Sequence, residues 1–133
     1  MSEQTNLLTR QQIAARAAQD MEDGWLVNLG IGMPTMIPAF IPNDRDVMFH
    51  SENGLIGMGP PPAKGEADQD LISAGKEQVT MISGGAYVHH TDSFAIARGG
   101  RLDCAVLGAF QVAMNGDLCN WRLPNQTSGS VGG

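Results

Sequence analysis

The chain is poor in cysteine, in aromatic residues and in basic charge. Its 133 residues include two cysteines, and phenylalanine, tryptophan and tyrosine together make up 5%. Two cysteines cannot form a multi-disulfide framework, so we expect Cys104 and Cys119 to be reduced and structural. Eight basic residues against 14 acidic ones give a net charge of −6, which argues against nucleic acid as a partner because its phosphates would be repelled.

The sequence also lacks a long apolar run. No stretch approaches the roughly 20 apolar residues that cross a bilayer, and the first residues lack the basic start and apolar segment of a signal peptide. We therefore expect a cytoplasmic protein that does not contact a membrane. A content of 42% hydrophobic and 17% charged residues is typical of a globular protein. The length predicts one domain over residues 1–133.

Glycine and proline are abundant, with 17 and seven copies, and they separate short apolar segments. Thr9 and Gln12 form a capping-box pair that begins the first helix, and Gly24 is expected to end it. Helices are predicted at residues 9–23, 34–41 and 92–98 (capped by Thr91 or Asp92), strands at 25–29, 46–50, 78–83 and 104–110, and a hairpin around 115–117. This alternation predicts an α/β fold with a largely parallel open sheet flanked by helices.

Two glycine-rich turns follow predicted strands, at residues 30–32 and just after Glu52. In open α/β sheets, ligands bind beyond the carboxyl ends of the strands, so both turns are expected to face one crevice. A carboxylate among backbone N–H donors is a candidate covalent nucleophile. Taken alone, however, Glu-Asn-Gly is also the pattern of an ordinary surface turn.

The sequence disfavours three other kinds of site. The turn at residues 30–32 lacks the third glycine of a dinucleotide fingerprint and a matching acidic ribose ligand. His89 and His90 are adjacent and have no third ligand at metal-binding spacing, so no metal site is predicted. Ser51 does not lie in a nucleophile elbow, and neither cysteine has a cation near it in sequence.

Four ordered blocks carry a resemblance to a known family. They are residues 51–60 with Ser-Glu-Asn-Gly, 28–35 with Asn-Leu-Gly-Ile-Gly, 70–76, and 105–121. Together they resemble the B subunit of the class I CoA-transferases, the 3-oxoacid and 3-oxoadipate CoA-transferases. The resemblance runs from residue 8 to residue 133, and residues 84–94 are most similar to the 3-oxoadipate branch.

The resemblance implies the CoA-transferase fold, incomplete at its C-terminus because the B subunits of this family continue past the last residue here. It implies Glu52 as the nucleophile and Asn28 as an oxyanion donor. No metal and no cofactor is implied, because the CoA thioester is a substrate. The residues that the resemblance assigns to substrate and CoA binding are Gly30, Gly32, Asn53, Gly54, Gly132 and Gly133.

The implied function is that of a B subunit which works with the family's A subunit in a heterodimer or heterotetramer. It would move CoA from succinyl-CoA to a 3-oxo acid, with 3-oxoadipate as the preferred acceptor, by ping-pong chemistry through a glutamyl-CoA thioester. Two alternatives stay open at this point. One is an inactive truncated chain that only associates with the A subunit, and the other is an acyl-CoA hydrolase.

Overall fold

The computed structural model describes residues 7–129. Along the chain, its elements are α1 (Arg10–Gln19), β1 (Leu26–Leu29), a 3-10 helix (Met33–Phe40), β2 (Met48–Ser51), β3 (Leu55–Met58), β4 (Met81–Tyr87), α2 (His90–Arg98), β5 (Cys104–Val106), β6 (Gln111–Val112) and β7 (Leu118–Cys119).

The first helix begins as predicted but ends earlier. The Thr9 hydroxyl accepts the Gln12 N–H at 3.2 Å, and the Thr9 N–H donates to Gln12 Oε1 at 2.8 Å, which confirms the capping box. The helix ends at Gln19, before the predicted Asp23, and the Arg45 guanidinium donates to the Gln19 carbonyl at 2.8 Å. A tertiary contact therefore satisfies a carbonyl of the last turn, which sequence periodicity could not show.

Five strands form the main sheet in the order β4-β3-β2-β1-β5. Strand β1 runs parallel to β2 and β5, whereas β3 is antiparallel to both of its neighbours. Four of the five strands therefore point in the same direction, which confirms the predicted largely parallel sheet. Strand β3 was not predicted, because Gly57 within it and the flanking Gly54 and Gly59 indicated a turn. Gly57 lets β4 approach closely, since an added Cβ would lie 2.9 Å from the Gly85 Cα atom.

Two further predictions about the second half of the chain were wrong in detail. Strand β4 begins at Met81 rather than at residue 78. Strand β5 has three residues instead of the predicted span 104–110, and the side chains of Leu107 and Phe110 are exposed. In the described part of the chain β1 is the single neighbour of β5, and it ends at Leu29 opposite Val106, so residues 107–110 have no strand of this sheet to pair with.

Local sequence signals predicted the hairpin correctly but not the start of α2. Helix α2 begins at His90, with His89 at the N-cap and no side-chain cap bond, so the predicted caps Thr91 and Asp92 were wrong. The hairpin is confirmed: β6 and β7 are antiparallel, and Asn115 Nδ2 donates to Asp117 at 2.7 Å within its turn. The turn of the hairpin, like the capped start of α1, is fixed by hydrogen bonds among neighbouring residues, whereas the start of α2 has no side-chain cap that the sequence could reveal.

The two faces of the sheet have different partners. Val27 and Phe49 are buried in an apolar core that also includes Ala18 of α1 and Ile37 of the 3-10 helix. Because successive side chains on a strand point to opposite faces, Asn28 and His50, which directly follow these two residues, lie on the other face. There the fully buried His50 contacts α2. The polar face of β1 and β2 is therefore the one on which a site can form.

Gly54 is the glycine whose replacement we expect to be most damaging to stability. Its φ is +122°, and an added Cβ would lie within van der Waals overlap of the Val88 carbonyl oxygen. Gly54→Ala is expected to lower the free energy of unfolding by roughly 2–4 kcal/mol, through backbone strain plus a clash with backbone. Urea denaturation measures this. Gly65 is the matched control, since its φ is +88° but no atom lies within 4 Å of an added Cβ. Equal losses in Gly54→Ala and Gly65→Ala would contradict the packing role.

Candidate active site

One cleft brings together the two residues predicted to carry the chemistry. Asn28 at the end of β1 and Glu52 just after β2 both line a cavity of about 690 Å³. Helix α2 contributes Phe94 and Arg98 to its wall, and Leu107, which directly follows β5, also lines it. The cavity thus opens beyond the carboxyl ends of parallel strands, as the sequence predicted.

Glu52 is the first residue of a three-residue hairpin loop. Strand β2 ends at Ser51 and β3 begins at Leu55, and these two residues pair across the hairpin. The Gly54 N–H donates to the Ser51 carbonyl at 3.0 Å, which closes the turn. A hairpin loop between two buried strands has little freedom to move, so the half-buried Glu52 carboxylate is held at the mouth of the cleft.

Both sequence neighbours of Glu52 are tied to a second segment, residues 72–74. The Ser51 hydroxyl accepts the Ala74 N–H at 2.9 Å, and Asn53 Nδ2 donates to the Ile72 carbonyl at 2.7 Å. Residues 70–76, one of the four blocks of the resemblance, therefore have a structural role. The segment clamps the turn that carries Glu52.

Asn28 is hydrogen-bonded to the neighbouring strand. It stands beside His50 in the parallel pair of β1 and β2. Its Nδ2 atom lies 2.9 Å from His50 Nδ1 and 3.4 Å from the His50 carbonyl oxygen. A half-buried amide needs such partners, because burial without a hydrogen bond is costly.

His50 is a functional candidate that sequence reasoning missed. Its side chain is 0% exposed, and its Nε2 atom lies 2.8 Å from the Oγ atom of Ser93, which is also fully buried. Burial lowers the pKa of His50, since desolvation penalises the imidazolium, and the nearby Glu52 charge opposes this shift without reversing it. The imidazole is therefore neutral at pH 7. The feature of the sequence that could have identified His50 is its position two residues before Glu52.

The six residues predicted to bind substrate or CoA do not all lie in the cleft. Gly30 lines the cleft, but its N–H donates to the Val106 carbonyl at 2.8 Å and is thus already used within the sheet. Gly32 has φ +90° and caps the 3-10 helix. In the described part of the chain, Gly32, Asn53 and Gly54 do not line the cleft. Gly132 and Gly133 lie outside the described residues. Binding roles for all six residues stay predictions.

Arg98 is a second residue that the sequence did not single out. It lines the same cleft as Glu52, and its guanidinium lies 5.1 Å from the centre of the Phe94 ring. Among the described residues that line the cleft, Glu52 and Arg98 are the two charged ones. The cleft therefore combines a carboxylate, an amide and a cation with mainly apolar walls, which suits an anionic substrate with an electrophilic carbonyl.

The sequence comparison decides the family. The profile of the family described as Coenzyme A transferase matches residues 10–131. The chain belongs to this family. The match extends through both strands that end at the cleft and through the turn that carries Glu52.

Curated relatives of this CoA-transferase chain are similar over most of its length. It is 64% identical over 115 residues to the B subunit of the 3-oxoadipate CoA-transferase of Acinetobacter baylyi, covering 86% of this chain and 53% of that protein. It is 55% identical to the Pseudomonas putida protein of the same name, covering 97% of this chain and 61% of that protein. The chain thus spans between about half and three fifths of the length of these relatives.

A solved structure shows the same fold. The acyl-CoA transferase apoenzyme of Escherichia coli O157:H7 matches 97% of this CoA-transferase chain and 22% of its own chain, with a TM-score of 0.62 and 22% sequence identity. At that identity the likeness concerns the fold alone. It agrees with the α/β architecture that the alternating elements predicted.

Three observations complete the description of this CoA-transferase chain. No helix within residues 7–129 has both the length and the apolar character that crossing a membrane requires. In the same residues, no group of three or more histidine, cysteine, aspartate or glutamate side chains is placed to hold a metal ion. Burial raises the pKa of the Cys104 thiol, which makes it a poor nucleophile at pH 7.

Proposed function

We propose that this chain carries the catalytic glutamate of a CoA-transferase B subunit that transfers CoA from succinyl-CoA to a 3-oxo acid. The observation that carries the proposal is the meeting of Glu52 and Asn28 in one cleft. The preferred acceptor is 3-oxoadipate, supported by the names of the two relatives described above. A Bacillus subtilis relative with 48% identity is named as the B subunit of a probable succinyl-CoA:3-ketoacid coenzyme A transferase, which supports the succinyl donor and the wider acid class.

In the first step, a Glu52 carboxylate oxygen attacks the thioester carbonyl of succinyl-CoA. The carbonyl oxygen becomes an oxyanion, and the amide N–H of Asn28 stabilises it. The C–S bond then breaks and its electron pair leaves with the CoA thiolate. The product on the protein is a mixed anhydride between Glu52 and the succinyl group.

In the second step, the CoA thiolate attacks the glutamyl carbonyl of the anhydride. The C–O bond to the succinyl group breaks, succinate leaves as a carboxylate, and Glu52 becomes a CoA thioester. The 3-oxo acid then runs both steps in reverse, so that it leaves as an acyl-CoA and Glu52 is restored. No proton needs to be moved, because the nucleophile and both leaving groups are anions.

The walls of the cleft support this chemistry. A carboxylate is a poor nucleophile in water, and the apolar side chains around Glu52 remove water from the attacking oxygen. Arg98 supplies a positive charge that attracts the free carboxylate of succinyl-CoA, or the carboxylate of 3-oxoadipate that does not react. Binding of the distant parts of CoA contributes the energy that holds the reacting groups together.

The proposal includes a partner and a compartment. The CoA-transferase A subunit forms the other wall of the cleft in a heterodimer or heterotetramer. Both relatives described above are named as B subunits, and this supports an A subunit as the partner. The cytoplasm is the proposed location. Both cysteines are free thiols in the structure, which fits a reducing compartment.

The direct test is a transfer assay on the chain assembled with its A subunit. With succinyl-CoA and 3-oxoadipate as substrates, we expect 3-oxoadipyl-CoA and parallel lines in double-reciprocal plots, because the first product leaves before the second substrate binds. Labelled succinate should also exchange into succinyl-CoA with no acceptor present. Release of free CoA without a new acyl-CoA would instead identify a hydrolase, and intersecting lines would exclude the covalent path.

A further inference from the structure

The proposed reaction leaves a buried polar pair without a role. His50 and Ser93 are both 0% exposed, and they come from different layers of the fold, β2 and α2. A buried imidazole is costly unless both of its nitrogens are hydrogen-bonded. Here one nitrogen contacts Ser93 and the other contacts Asn28, so the pair stands directly behind the proposed oxyanion donor.

The contacts of His50 determine its tautomer. A neutral imidazole has one N–H donor and one bare acceptor nitrogen. Nδ1 faces the amide nitrogen of Asn28 at 2.9 Å, and an amide nitrogen can only donate. Nδ1 is therefore the acceptor, and Nε2 carries the hydrogen and donates to the Ser93 hydroxyl at 2.8 Å.

The Asn28 amide nitrogen has two N–H groups with unequal partners. One donates to His50 Nδ1 at 2.9 Å. The other has the His50 carbonyl oxygen at 3.4 Å, at the long limit of a hydrogen bond. An oxyanion is a much stronger acceptor than a distant carbonyl, so this second N–H is the donor available to the cleft.

We propose that His50, held by Ser93, is a positioning residue that fixes the Asn28 amide so that one N–H remains for the oxyanion. The proposal rests on the role of Asn28 in the proposed function. His50 does not touch the substrate, and it acts only through Asn28. Without a bare acceptor at Nδ1, the amide is free to rotate and to present its carbonyl oxygen to the oxyanion, which would repel it.

Two substitutions at position 50 separate this role from simple packing. An asparagine side chain places its polar atoms near Nδ1, and a glutamine side chain reaches the position of Nε2. His50→Gln should lower kcat by about 10- to 100-fold while KM for succinyl-CoA stays within about twofold, because misplacement of a catalytic group acts on the transition state. His50→Asn keeps an acceptor for Asn28 and should retain most of the wild-type kcat, although it loses the Ser93 contact.

The measurements are made on the chain assembled with its A subunit, with kcat corrected for the folded fraction by circular dichroism. In an Asn28→Ala background, His50→Gln should lower kcat no further, since a residue that acts through Asn28 cannot act without it. Equal kcat losses in His50→Gln and His50→Asn, or an additive loss in the double variant, would overturn the proposal.

A spectroscopic readout is independent of activity. Nitrogen NMR of the chain with labelled histidine reports which ring nitrogen carries the hydrogen, and three histidines make assignment by the His50→Gln variant simple. We expect a bare Nδ1 and a protonated Nε2, with the Nδ1 signal shifting in Asn28→Ala. A protonated Nδ1 overturns the proposal even if CoA transfer is observed. If no acyl-CoA is transferred, the proposed function fails, while the NMR result still decides how Asn28 is held.

Discussion

Glu52→Ala should abolish CoA transfer, with kcat/KM lowered by on the order of 10⁴-fold or more. The size of the loss reflects the removal of the group that forms both covalent intermediates in the proposed reaction, since no second carboxylate is among the described residues that line the cleft. Glu52→Asp should lose nearly as much, because shortening the side chain by one methylene withdraws the carboxylate from the attacking position. Steady-state kinetics with succinyl-CoA and 3-oxoadipate measure both effects.

Chemical trapping tests the same residue without relying on a rate. Hydroxylamine added to the assembled protein with succinyl-CoA should convert the glutamyl thioester into a hydroxamate, and mass spectrometry should locate it at Glu52. Glu66→Ala is the matched control, because Glu66 is an exposed carboxylate outside the cleft and its loss should leave turnover unchanged. Modification at another residue, or turnover by Glu52→Ala, would show that the nucleophile has been misassigned.

The parts of the fold and of the site that were predictable from sequence are those encoded locally. The Glu52 turn and the capping box of α1 depend on neighbouring residues, and both are found where the sequence predicted them. Strand β3 was missed because Gly57 is a turn signal in sequence, whereas in the structure it permits close packing against β4. The same residue type serves both purposes, and only the tertiary neighbour distinguishes them.

The remaining features of the site depend on contacts between distant residues. His50 and Ser93 are 43 residues apart, and neither a histidine in a strand nor a serine in a helix indicates from sequence that the two are in contact. Ser51 and Asn53 anchor the Glu52 turn to a segment about 20 residues downstream, so the role of residues 72–74 appears only once the chain is folded. Arg98 is likewise an ordinary last-turn cation in sequence, and the fold places it in the cleft.

These contacts indicate a division of work within the site. The hairpin and the clamp at residues 72–74 fix the proposed nucleophile, Glu52, whereas β1, β2 and α2 together fix the amide of Asn28 in the same cleft. A rigid placement of both groups matters because the proposed reaction has no general acid or base to compensate for poor geometry. Once Glu52 has attacked, the main way in which the protein can lower the barrier is to stabilise the oxyanion more strongly than the carbonyl group of the bound substrate.

Asn28→Ala should therefore lower kcat by roughly 10²- to 10³-fold and leave KM for succinyl-CoA within a few fold, because the lost hydrogen bond forms mainly in the transition state. The variant also leaves His50 Nδ1 without its partner, so the free energy of unfolding should fall by about 1–3 kcal/mol. Kinetics on the assembled protein and urea denaturation measure the two effects separately.

Asn115→Ala is the matched control for that variant. Asn115 also makes a side-chain hydrogen bond, to Asp117 in the exposed hairpin, but it does not line the cleft. Its replacement should change stability slightly and kcat not at all. If Asn28→Ala unfolds more easily while its folded fraction keeps the full kcat, the amide serves only the packing of β1 against β2, and the oxyanion must be stabilised by another donor. If kcat falls while the protein remains folded, Asn28 acts on the reaction itself. The neutral state of the buried His50 imidazole then matters for catalysis, because only a neutral ring offers Nδ1 as an acceptor for Asn28.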